Sequence, residues 1–303
     1  MQILEKINQL KDSHKAVILA HNYQPAEIQD IADFTGDSLG LSIKASQTDA
    51  EVIVFCGVRF MAETAAILSP KKTVLLPDEF AGCPLADMIT AEQLLKLKQQ
   101  HPDALVVCYV NSSAQVKAES DYCCTSSNAV EVVNSLPKNR EIIFVPDRYL
   151  GQYVIEQTGR DLILWPGYCQ VHIVITEEDI ENNKAKYPDS IVMAHPECTE
   201  PVKALADQIL STGGMLNFVS KSKAKRFIVA TEVDMIHALQ KQNPNAEYFP
   251  ASKRAVCPNM KLITLEKILW ALQDMQYKIT VPEPIRVKAQ KAVDRMIEIL
   301  PAD

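Results

Sequence analysis

The chain has 303 residues, and its 47% hydrophobic and 23% charged residues match an average globular protein, which excludes a disordered, collagen-like or coiled-coil chain. The 31 Lys+Arg and 38 Asp+Glu leave a net charge of -7, so no basic field attracts phosphate backbones or anionic lipids. The apolar runs fall short of the roughly 18 residues that a membrane-spanning helix needs, and residues 1–15 lack the features of a signal peptide. We expect a soluble, cytoplasmic protein without a nucleic-acid or membrane partner.

The first third of the chain alternates helical and strand-like segments. A helical apolar pattern at residues 1–15 precedes three strand-like apolar runs, at residues 17–20, 52–55 and 74–77. Polar residues follow the first run, a hydroxyl residue lies in the loop before the next helical stretch, and a cysteine follows the proline that closes the third run. Such alternation favours a parallel sheet covered by helices.

The same series of features recurs twice, at offsets of 86 to 88 residues. Strand-like runs recur at residues 105–108, 142–145 and 162–166, and again at 191–194, 227–230 and 248–250. The three polar tips are His21, Tyr109 and His195, the three hydroxyl residues are Ser38, Ser126 and Thr212, and the three cysteines are Cys83, Cys169 and Cys257. Because the tips, the hydroxyl residues and the cysteines all recur at nearly the same offset, the chain is expected to contain three copies of one structural unit.

A helix-start signal follows each of these cysteines. The sequence Ile-Thr-x-Glu places Thr90, Thr176 and Thr264 at the N-cap of a helix, with an acid in the first turn. Gln93 completes a capping box with Thr90. Each unit is therefore followed directly by a new helix.

We predict an α/β fold of three αβα units with small parallel sheets, related by a pseudo-threefold axis, instead of the two domains that length alone suggests. The first unit spans residues 1–84 and is completed by C-terminal helices in residues 264–303, the second spans residues 85–170, and the third spans residues 171–263. Active sites of parallel sheets lie outside the carboxyl ends of the strands. The tips, hydroxyl residues and cysteines of all three units can therefore converge on one central site.

The eight cysteines include no CxxC pair, so neither a thioredoxin-type motif nor a common zinc-finger spacing is present. A disulfide framework is not expected in a cytosolic chain of this length. Thiolates bind zinc, copper(I) or iron–sulfur clusters, and three cysteines on a four-iron cubane would leave one iron open for a substrate. Spacing alone does not decide between these metals. The cysteines that break the repeat are Cys56, Cys108, Cys123, Cys124 and Cys198. Cys56 and Cys108 lie at strand ends and are expected in the core, whereas the adjacent Cys123 and Cys124 cannot easily point both sulfurs at one site.

A series of short sequence words resembles the quinolinate synthase family over nearly the whole chain. These words are His21-Asn-Tyr-Gln24, Gly36-Asp-Ser-Leu39, Phe60-Met-Ala-Glu-Thr64, Ala81-Gly-Cys-Pro84, Thr125-Ser-Ser-Asn128, His195-Pro-Glu-Cys198, Ser211-Thr-Gly-Gly214 and Met260-Lys261. Each word alone is weak evidence, but their order and spacing make the resemblance specific.

This resemblance implies a triangular enzyme of NAD biosynthesis with an oxygen-sensitive [4Fe-4S] cluster at its centre, held by Cys83, Cys169 and Cys257. The implied reaction condenses iminoaspartate with dihydroxyacetone phosphate to quinolinate and releases phosphate and two waters. It also implies L-aspartate oxidase or aspartate dehydrogenase as the upstream source of iminoaspartate. Some longer family members carry a CxxCxxC at the last ligand, where this chain has only Cys257-Pro-Asn-Met260, so we expect no redox switch there.

The polar tips supply residue types that the proton transfers of this condensation need. Tyr23, His195 and Glu197 resemble the acid/base set of the family, and His21 is the repeat equivalent of His195. A histidine at a strand end can also serve only as a polar cap, but two of them at one repeat position favour catalysis.

The remaining polar positions suit substrate binding. Each hydroxyl residue precedes a predicted helix, whose N-terminus attracts phosphate and carboxylate groups, with simple N-capping as the alternative role. The predicted substrate-binding residues are Ser38, Tyr109, Asn111, Ser126, His172, Thr212 and Gly213.

Two other functions stay open at the level of sequence. Three distant cysteines in a trefoil also resemble diphthamide-type radical enzymes and the reductase that acts on hydroxymethylbutenyl diphosphate, and both of these need electron delivery. A non-enzymatic iron–sulfur sensor or electron carrier is the third possibility, but it leaves the polar tips of all three units without a role.

Overall fold

The computed structural model describes residues 3–301, which form an α/β protein with three small sheets. The strands are β1 Ala16–His21, β2 Phe34–Gly36, β3 Val52–Cys56, β4 Thr73–Leu75, β5 Leu105–Tyr109, β6 Tyr122–Cys124, β7 Ile142–Val145, β8 Ile163–Leu164, β9 Ile191–Ala194, β10 Gln208–Ile209, β11 Arg226–Ala230 and β12 Glu247–Pro250. The helices are α1 Ile3–His14, α2 Ala26–Ile31, α3 Ser38–Gln47, α4 Arg59–Leu68, α5 Ala91–Gln100, α6 Ala114–Ala118, α7 Ala129–Ser135, α8 Arg148–Thr158, α9 Glu177–Lys186, α10 Glu200–Ala204, α11 Thr212–Lys221, α12 Met235–Gln242, α13 Leu265–Asp274 and α14 Glu283–Glu298. None of the helices within residues 3–301 is long and apolar enough to cross a membrane.

All three sheets have four parallel strands in the same order. The orders are β2-β1-β3-β4, β6-β5-β7-β8 and β10-β9-β11-β12, and each neighbouring pair is parallel. This repetition confirms the predicted fold of three αβα units with small parallel sheets.

The central strands of each sheet are buried on both faces. β3 and β7 are completely buried, and only the first residue of β5, β9 and β11 is more exposed. Helices cover both faces of such sheets, so their strands consist of nearly continuous apolar residues. This is why the central strands were recognisable in the sequence.

The sequence indicated three strands in each unit, whereas the structure has four. The additional strands, β2, β6 and β10, are two or three residues long and lie at one edge of each sheet. Their sequences, Phe-Thr-Gly, Tyr-Cys-Cys and Gln-Ile, contain no aliphatic run, whereas the equally short edge strand β8 lies within the apolar run at residues 162–166. Each of the three additional strands ends two or three residues before one of the predicted hydroxyl residues, so the edge strand sets the position of that hydroxyl.

The predicted helix starts after the cysteines are confirmed. Thr90, Thr176 and Thr264 are the N-caps of α5, α9 and α13, and each side chain accepts a hydrogen bond from the backbone N–H three residues later. Gln93 completes the predicted capping box with Thr90. These caps end each cysteine-bearing loop at a defined residue.

The C-terminal segments pack against the first two sheets. Helix α13 packs against α1, and the backbone of residues 277–279 pairs with β4 through bonds between Leu76 and Tyr277 and between Val74 and Ile279. Helix α14 packs against α6, β6 and α4. We propose that the three units have the predicted boundaries and that α14 packs against both the first and the second unit. Residues 1, 2, 302 and 303 of the predicted first unit lie outside the described residues.

The loop that carries Cys169 makes one contact that only glycine allows. A Cβ on Gly167 would lie 2.4 Å from the carbonyl oxygen of Pro146, and the Gly167 carbonyl accepts the backbone N–H of Arg148. Since the obstructing atom belongs to the backbone, the loop cannot relieve the overlap by turning a side chain.

We therefore expect Gly167→Ala to lower the free energy of unfolding by about 1–3 kcal/mol, the usual cost of overpacking a close contact. Chemical denaturation of the metal-free protein measures it. Gly82→Ala is the matched control beside another of the three cysteines, because its nearest atom would lie 3.9 Å away. Equal stabilities of the two variants would contradict this explanation.

Candidate active site

A cavity of about 270 Å³ lies where the carboxyl ends of strands from all three sheets meet. The structure brings nearly all predicted site residues to it. Those that line the cavity are His21, Tyr23, Ser38, Cys83, Tyr109, Asn111, Ser126, Cys169, His172, His195, Glu197, Thr212 and Cys257. Gly213 is not one of the lining residues. A Cβ at this position would lie 2.6 Å from Asp37 Oδ2, so glycine is needed there to accommodate a side chain of the first unit.

The eight cysteines fall into two classes by burial. Cys83, Cys169 and Cys257 are half-buried and border the cavity, whereas the other five are buried. Loss of solvation raises the pKa of Cys83 to about 12 and also raises the pKa of Cys169 and Cys257. These thiols are neutral unless a cation compensates the thiolate charge, and a bound metal does this.

His21 and His195 occupy equivalent positions and share one local geometry. The backbone N–H of Tyr23 donates to Nδ1 of His21 at 3.2 Å, and the backbone N–H of Glu197 donates to Nδ1 of His195 at 3.3 Å. In His21 this partner places the proton of the neutral ring on Nε2. Nδ1 of His195 also faces the Glu197 carboxylate at 3.3 Å, and its Nε2 lies 3.2 Å from Ser126 Oγ.

Burial keeps both of these histidines neutral. It lowers the pKa of His21 to about 3, with a further contribution from His195, and it lowers the pKa of His195 despite the nearby Glu197 carboxylate. Each ring therefore presents an uncharged N–H donor at neutral pH.

Glu197 is a buried carboxylate between two histidines. Its Oε2 lies 3.0 Å from Nδ1 of His172 and 3.3 Å from Nδ1 of His195, and the two imidazole rings stack with centroids 4.6 Å apart. Burial alone would raise the pKa of Glu197, but the histidines, His172 first, outweigh burial and hold this pKa well below its usual range. Within the described chain, Glu197 Oε1 has no hydrogen-bond partner, so it stays available to a ligand.

Tyr23 is held by a residue that the sequence did not indicate. Its hydroxyl lies 2.5 Å from Oγ1 of Thr231, which also lies 2.8 Å from Nε2 of His172. Burial raises the pKa of Tyr23 well above its ordinary value, and the Glu197 charge adds to this effect. Tyr23 is therefore a neutral phenol. Thr231 is the first polar residue after the apolar run of β11, and this position at a strand end was the available sequence signal.

Helices begin at Ser38 and Thr212, but neither residue is the N-cap. The capping side chains belong to the preceding residues: Asp37 accepts from Gly40 N at 2.8 Å, and Ser211 accepts from Gly214 N at 3.1 Å. Ser38 and Thr212 are instead the first helical residues and line the cavity. The N-capping alternative is wrong for these two positions, because the residue with extended backbone angles stands one position earlier.

A single serine joins these helix starts across the three units. Ser127 Oγ lies 2.5 Å from Asp37 Oδ2 and 2.9 Å from Ser211 Oγ. In the second unit, Asn111 lines the cavity and its Oδ1 has no partner among residues 3–301. The cavity is therefore lined by Asn111, whose Oδ1 is unpartnered, and by the first residues of α3 and α11.

Glu232 and Lys261 connect one cysteine loop to the first unit, and the sequence did not assign them this role. Glu232 is completely buried and accepts from the backbone N–H of Cys257 at 3.1 Å and from Lys261 Nζ at 2.7 Å. Lys261 also donates to the backbone carbonyl of Tyr23 at 2.6 Å and contacts Asp234 at 2.5 Å. This network fixes the distance between the Cys257 loop and the Tyr23 tip.

One group of side chains can hold a metal ion. The ligand atoms of Cys169, His172 and Glu197 all lie within 4.8 Å of one another.

Arg254 also lines the cavity and was not assigned from the sequence. Its exposed guanidinium pairs with Asp179 at 2.9 Å. The site therefore combines soft metal ligands, acid/base groups and anion-binding groups.

This combination of neutral donors, an ionised carboxylate and residues that could hold a metal ion around one cavity is typical of an enzyme active site. The profile of the NadA family, described as "Quinolinate synthetase A protein", matches residues 5–298. Similar relatives are a quinolinate synthase of Dehalococcoides mccartyi strain CBDB1, 56% identical over 298 residues and 98% of both chains, and one of Geobacter metallireducens, 56% identical over 297 residues, 98% of this chain and 97% of the relative. Quinolinate synthase 2 of Methanosarcina acetivorans is 54% identical over 297 residues, 98% of this chain and 96% of the relative. The chain belongs to the quinolinate synthase family.

The Glu232–Lys261 pair leads to a prediction about stability. Lys261→Met removes the cation beside a buried carboxylate, and we expect it to lower the free energy of unfolding by about 3 kcal/mol, at the low end for a broken buried pair because two backbone N–H groups still bind Glu232. Denaturant unfolding of the metal-free chain measures the loss.

The double variant Lys261→Met with Glu232→Gln should recover part of this loss, because no uncompensated charge stays buried. Lys253→Met is the control, since Lys253 is exposed nearby. A double variant less stable than Lys261→Met alone would contradict the prediction.

Proposed function

We propose that this chain is a quinolinate synthase, which condenses iminoaspartate with dihydroxyacetone phosphate to quinolinate and releases phosphate and two waters. The observation that carries the proposal is the shared cavity, to which all three units contribute a polar tip and a cysteine. Relatives that carry this enzyme name align over nearly the whole chain. Its product would enter NAD biosynthesis.

The cofactor in this proposal is one [4Fe-4S] cluster held by Cys83, Cys169 and Cys257. The three thiols are half-buried at one cavity, and their raised pKa values favour a ligand that compensates thiolate charge. Only Cys169 belongs to the group of ligand atoms close enough for a single ion, so engagement of all three thiols favours a larger centre. When bound, the cluster supplies an open iron that acts as a Lewis acid on a substrate oxygen.

The chain itself would bind the anionic groups of the substrates at the helix starts. Thr212 Oγ1 accepts from Asn22 Nδ2 at 3.2 Å, so its own hydroxyl proton is free to donate to a phosphate or carboxylate oxygen. Ser38 and Ser126 line the same cavity, and the N-terminus of α3 at Ser38 favours negative charge. Tyr109 and Asn111 of the second unit would orient the carboxylate and imine groups.

The proton transfers would use Glu197, Tyr23 and the two histidine tips. The ionised Glu197 can accept a proton through the unpartnered Oε1, whereas the neutral phenol of Tyr23 can donate one to a developing oxyanion. The neutral rings of His21 and His195 would hydrogen-bond the carbonyl and hydroxyl oxygens of the intermediates. Burial of these groups excludes bulk water, which protects imine intermediates from hydrolysis.

The substrate chemistry also defines the upstream partner and the setting. Iminoaspartate is aspartate after a two-electron oxidation, so an aspartate-oxidising enzyme, an L-aspartate oxidase or an aspartate dehydrogenase, would supply it. A cytoplasmic location and the absence of nucleic-acid and membrane partners belong to the same proposal and rest on the acidic composition.

The condensation is redox-neutral, which provides a test of function. We expect anaerobically purified protein, supplied with iminoaspartate and dihydroxyacetone phosphate and no reductant, to form quinolinate and phosphate in a one-to-one ratio. Quinolinate is measured by liquid chromatography, and phosphate by a colorimetric assay.

Product that forms only after addition of a low-potential electron donor would favour the reductase or radical class instead. Absence of product with either mixture, in protein with a full iron content, would favour a sensor or carrier.

The ligand assignment predicts how iron content depends on single cysteines. Cys83→Ala, Cys169→Ala and Cys257→Ala should each abolish the brown chromophore and about four bound iron atoms per chain. Cys56→Ala and Cys198→Ala are matched controls at completely buried cysteines and should retain both. Anaerobic iron and sulfide analysis with a visible spectrum measures the result, and unchanged iron in any of the first three variants would refute the assignment of that ligand.

A further inference from the structure

Thr231 lies at the carboxyl end of β11, directly behind the acid/base groups. It is completely buried, and it is not one of the described side chains that line the cavity. Thr231 can therefore affect a bound substrate only through the side chains that it contacts.

The Thr231 hydroxyl contacts two rings from two different loops. It lies 2.5 Å from the Tyr23 hydroxyl of the first unit and 2.8 Å from Nε2 of His172, three residues beyond Cys169. A hydroxyl has one proton and two lone pairs, so one Thr231 side chain can satisfy both partners at once. The rings of Tyr23 and His172 are held 6.3 Å apart at an angle of 51°.

These two contacts determine where the reactive atoms point. With Nε2 of His172 bound to Thr231, the opposite nitrogen, Nδ1, faces Glu197 Oε2 at 3.0 Å. The bond to Tyr23 likewise fixes the position of its phenolic oxygen, and the Tyr23 ring lies beside the His21 ring at a centroid distance of 4.6 Å. Without the hydroxyl, both polar atoms would be buried without this partner, and each ring could rotate away.

The residue after Thr231 fixes the backbone from which this hydroxyl projects. Glu232 Oε1 accepts from Cys257 N at 3.1 Å, and its Oε2 accepts from Asp234 N at 2.9 Å. Lys261 bonds the same carboxylate and the Tyr23 carbonyl. The end of β11 is therefore held on both sides, so the Thr231 hydroxyl has little freedom to move.

We propose that Thr231 is a positioning residue that orients the Tyr23 phenol and the His172 imidazole for proton transfer through a single shared hydroxyl. The inference rests on the proposed quinolinate synthase activity and adds a residue that acts on the reaction without contacting the substrate. It concerns orientation of the rings, so it affects the chemical step more than substrate binding.

Two substitutions at Thr231 separate the hydroxyl from the shape of the side chain. Thr231→Val keeps the volume and removes the hydroxyl, and Thr231→Ser keeps the hydroxyl and removes the methyl group. We expect Thr231→Val to lower kcat by about ten- to a hundredfold, part of the 10²–10⁴ that positioned acid/base groups supply, with KM for both substrates within about threefold. Thr231→Ser should restore kcat to within about threefold of wild type.

The control removes another buried hydroxyl outside the cavity. Ser69 is buried and donates to the carbonyl of Ala45 in the first unit, so Ser69→Ala tests the general effect of losing a buried hydrogen bond. We expect it to leave kcat unchanged. Iron content, measured on all four proteins, should be equal.

The possible results lead to different conclusions. Normal turnover by the Thr231→Val variant, or an equal loss in the Thr231→Ser variant, would overturn the positioning role while the proposed function stands. A Thr231→Val variant that loses iron, or whose kcat and KM change together, would show a structural role and would also overturn it. Absence of reductant-free turnover by the wild-type chain would refute the proposed function and the role of Thr231 with it.

Discussion

Parallel strand pairing is the constraint on which the rest of this structure depends. In each of the three sheets the strands run in one direction, so all their carboxyl ends lie at the same end of the sheet. The loops that follow these strand ends are not paired in the sheet, and their polar groups are available to a ligand. The order of strands is the same three times, and the three edges therefore deliver equivalent loops to one cavity. Hydroxyl residues, histidines and cysteines that are more than eighty residues apart in the chain become neighbours for this reason.

Contacts between units then convert this convergence into a defined site. Ser127 bonds Asp37 and Ser211 of the other two units, and Thr231 joins Tyr23 to His172. The Thr231 bonds are buried and the Ser127 bonds are partly buried, and an unpaired polar group is costly in such surroundings. Contacts between the three units therefore converge at the cavity. Burial keeps the histidine donors neutral, while the imidazoles keep Glu197 ionised, so uncharged donors and a charged carboxylate coexist within one cavity.

The agreement between sequence and structure follows the strength of the local signal. Central strands such as β3 are buried along their whole length and were recognisable as apolar runs, and Thr90 was recognisable as a cap because its hydrogen bond is to a residue three positions away. Edge strands such as β2 were missed because their residues are few and partly exposed. The N-cap of α3 was placed one residue too late, since the adjacent Asp37 and Ser38 are both good capping residues and only backbone angles separate them.

The sequence by itself determined the threefold repeat, the parallel sheets, the family and many of the polar residues and cysteines that line the cavity, because each of these leaves a periodic or motif-level pattern along the chain. Only the tertiary structure decided which atoms meet. The partners of Glu232, the shared hydroxyl of Thr231 and the place of Gly213 beside Asp37 depend on contacts between residues far apart in the sequence. Such contacts are set by the relative position of whole units, to which no local pattern of residues corresponds.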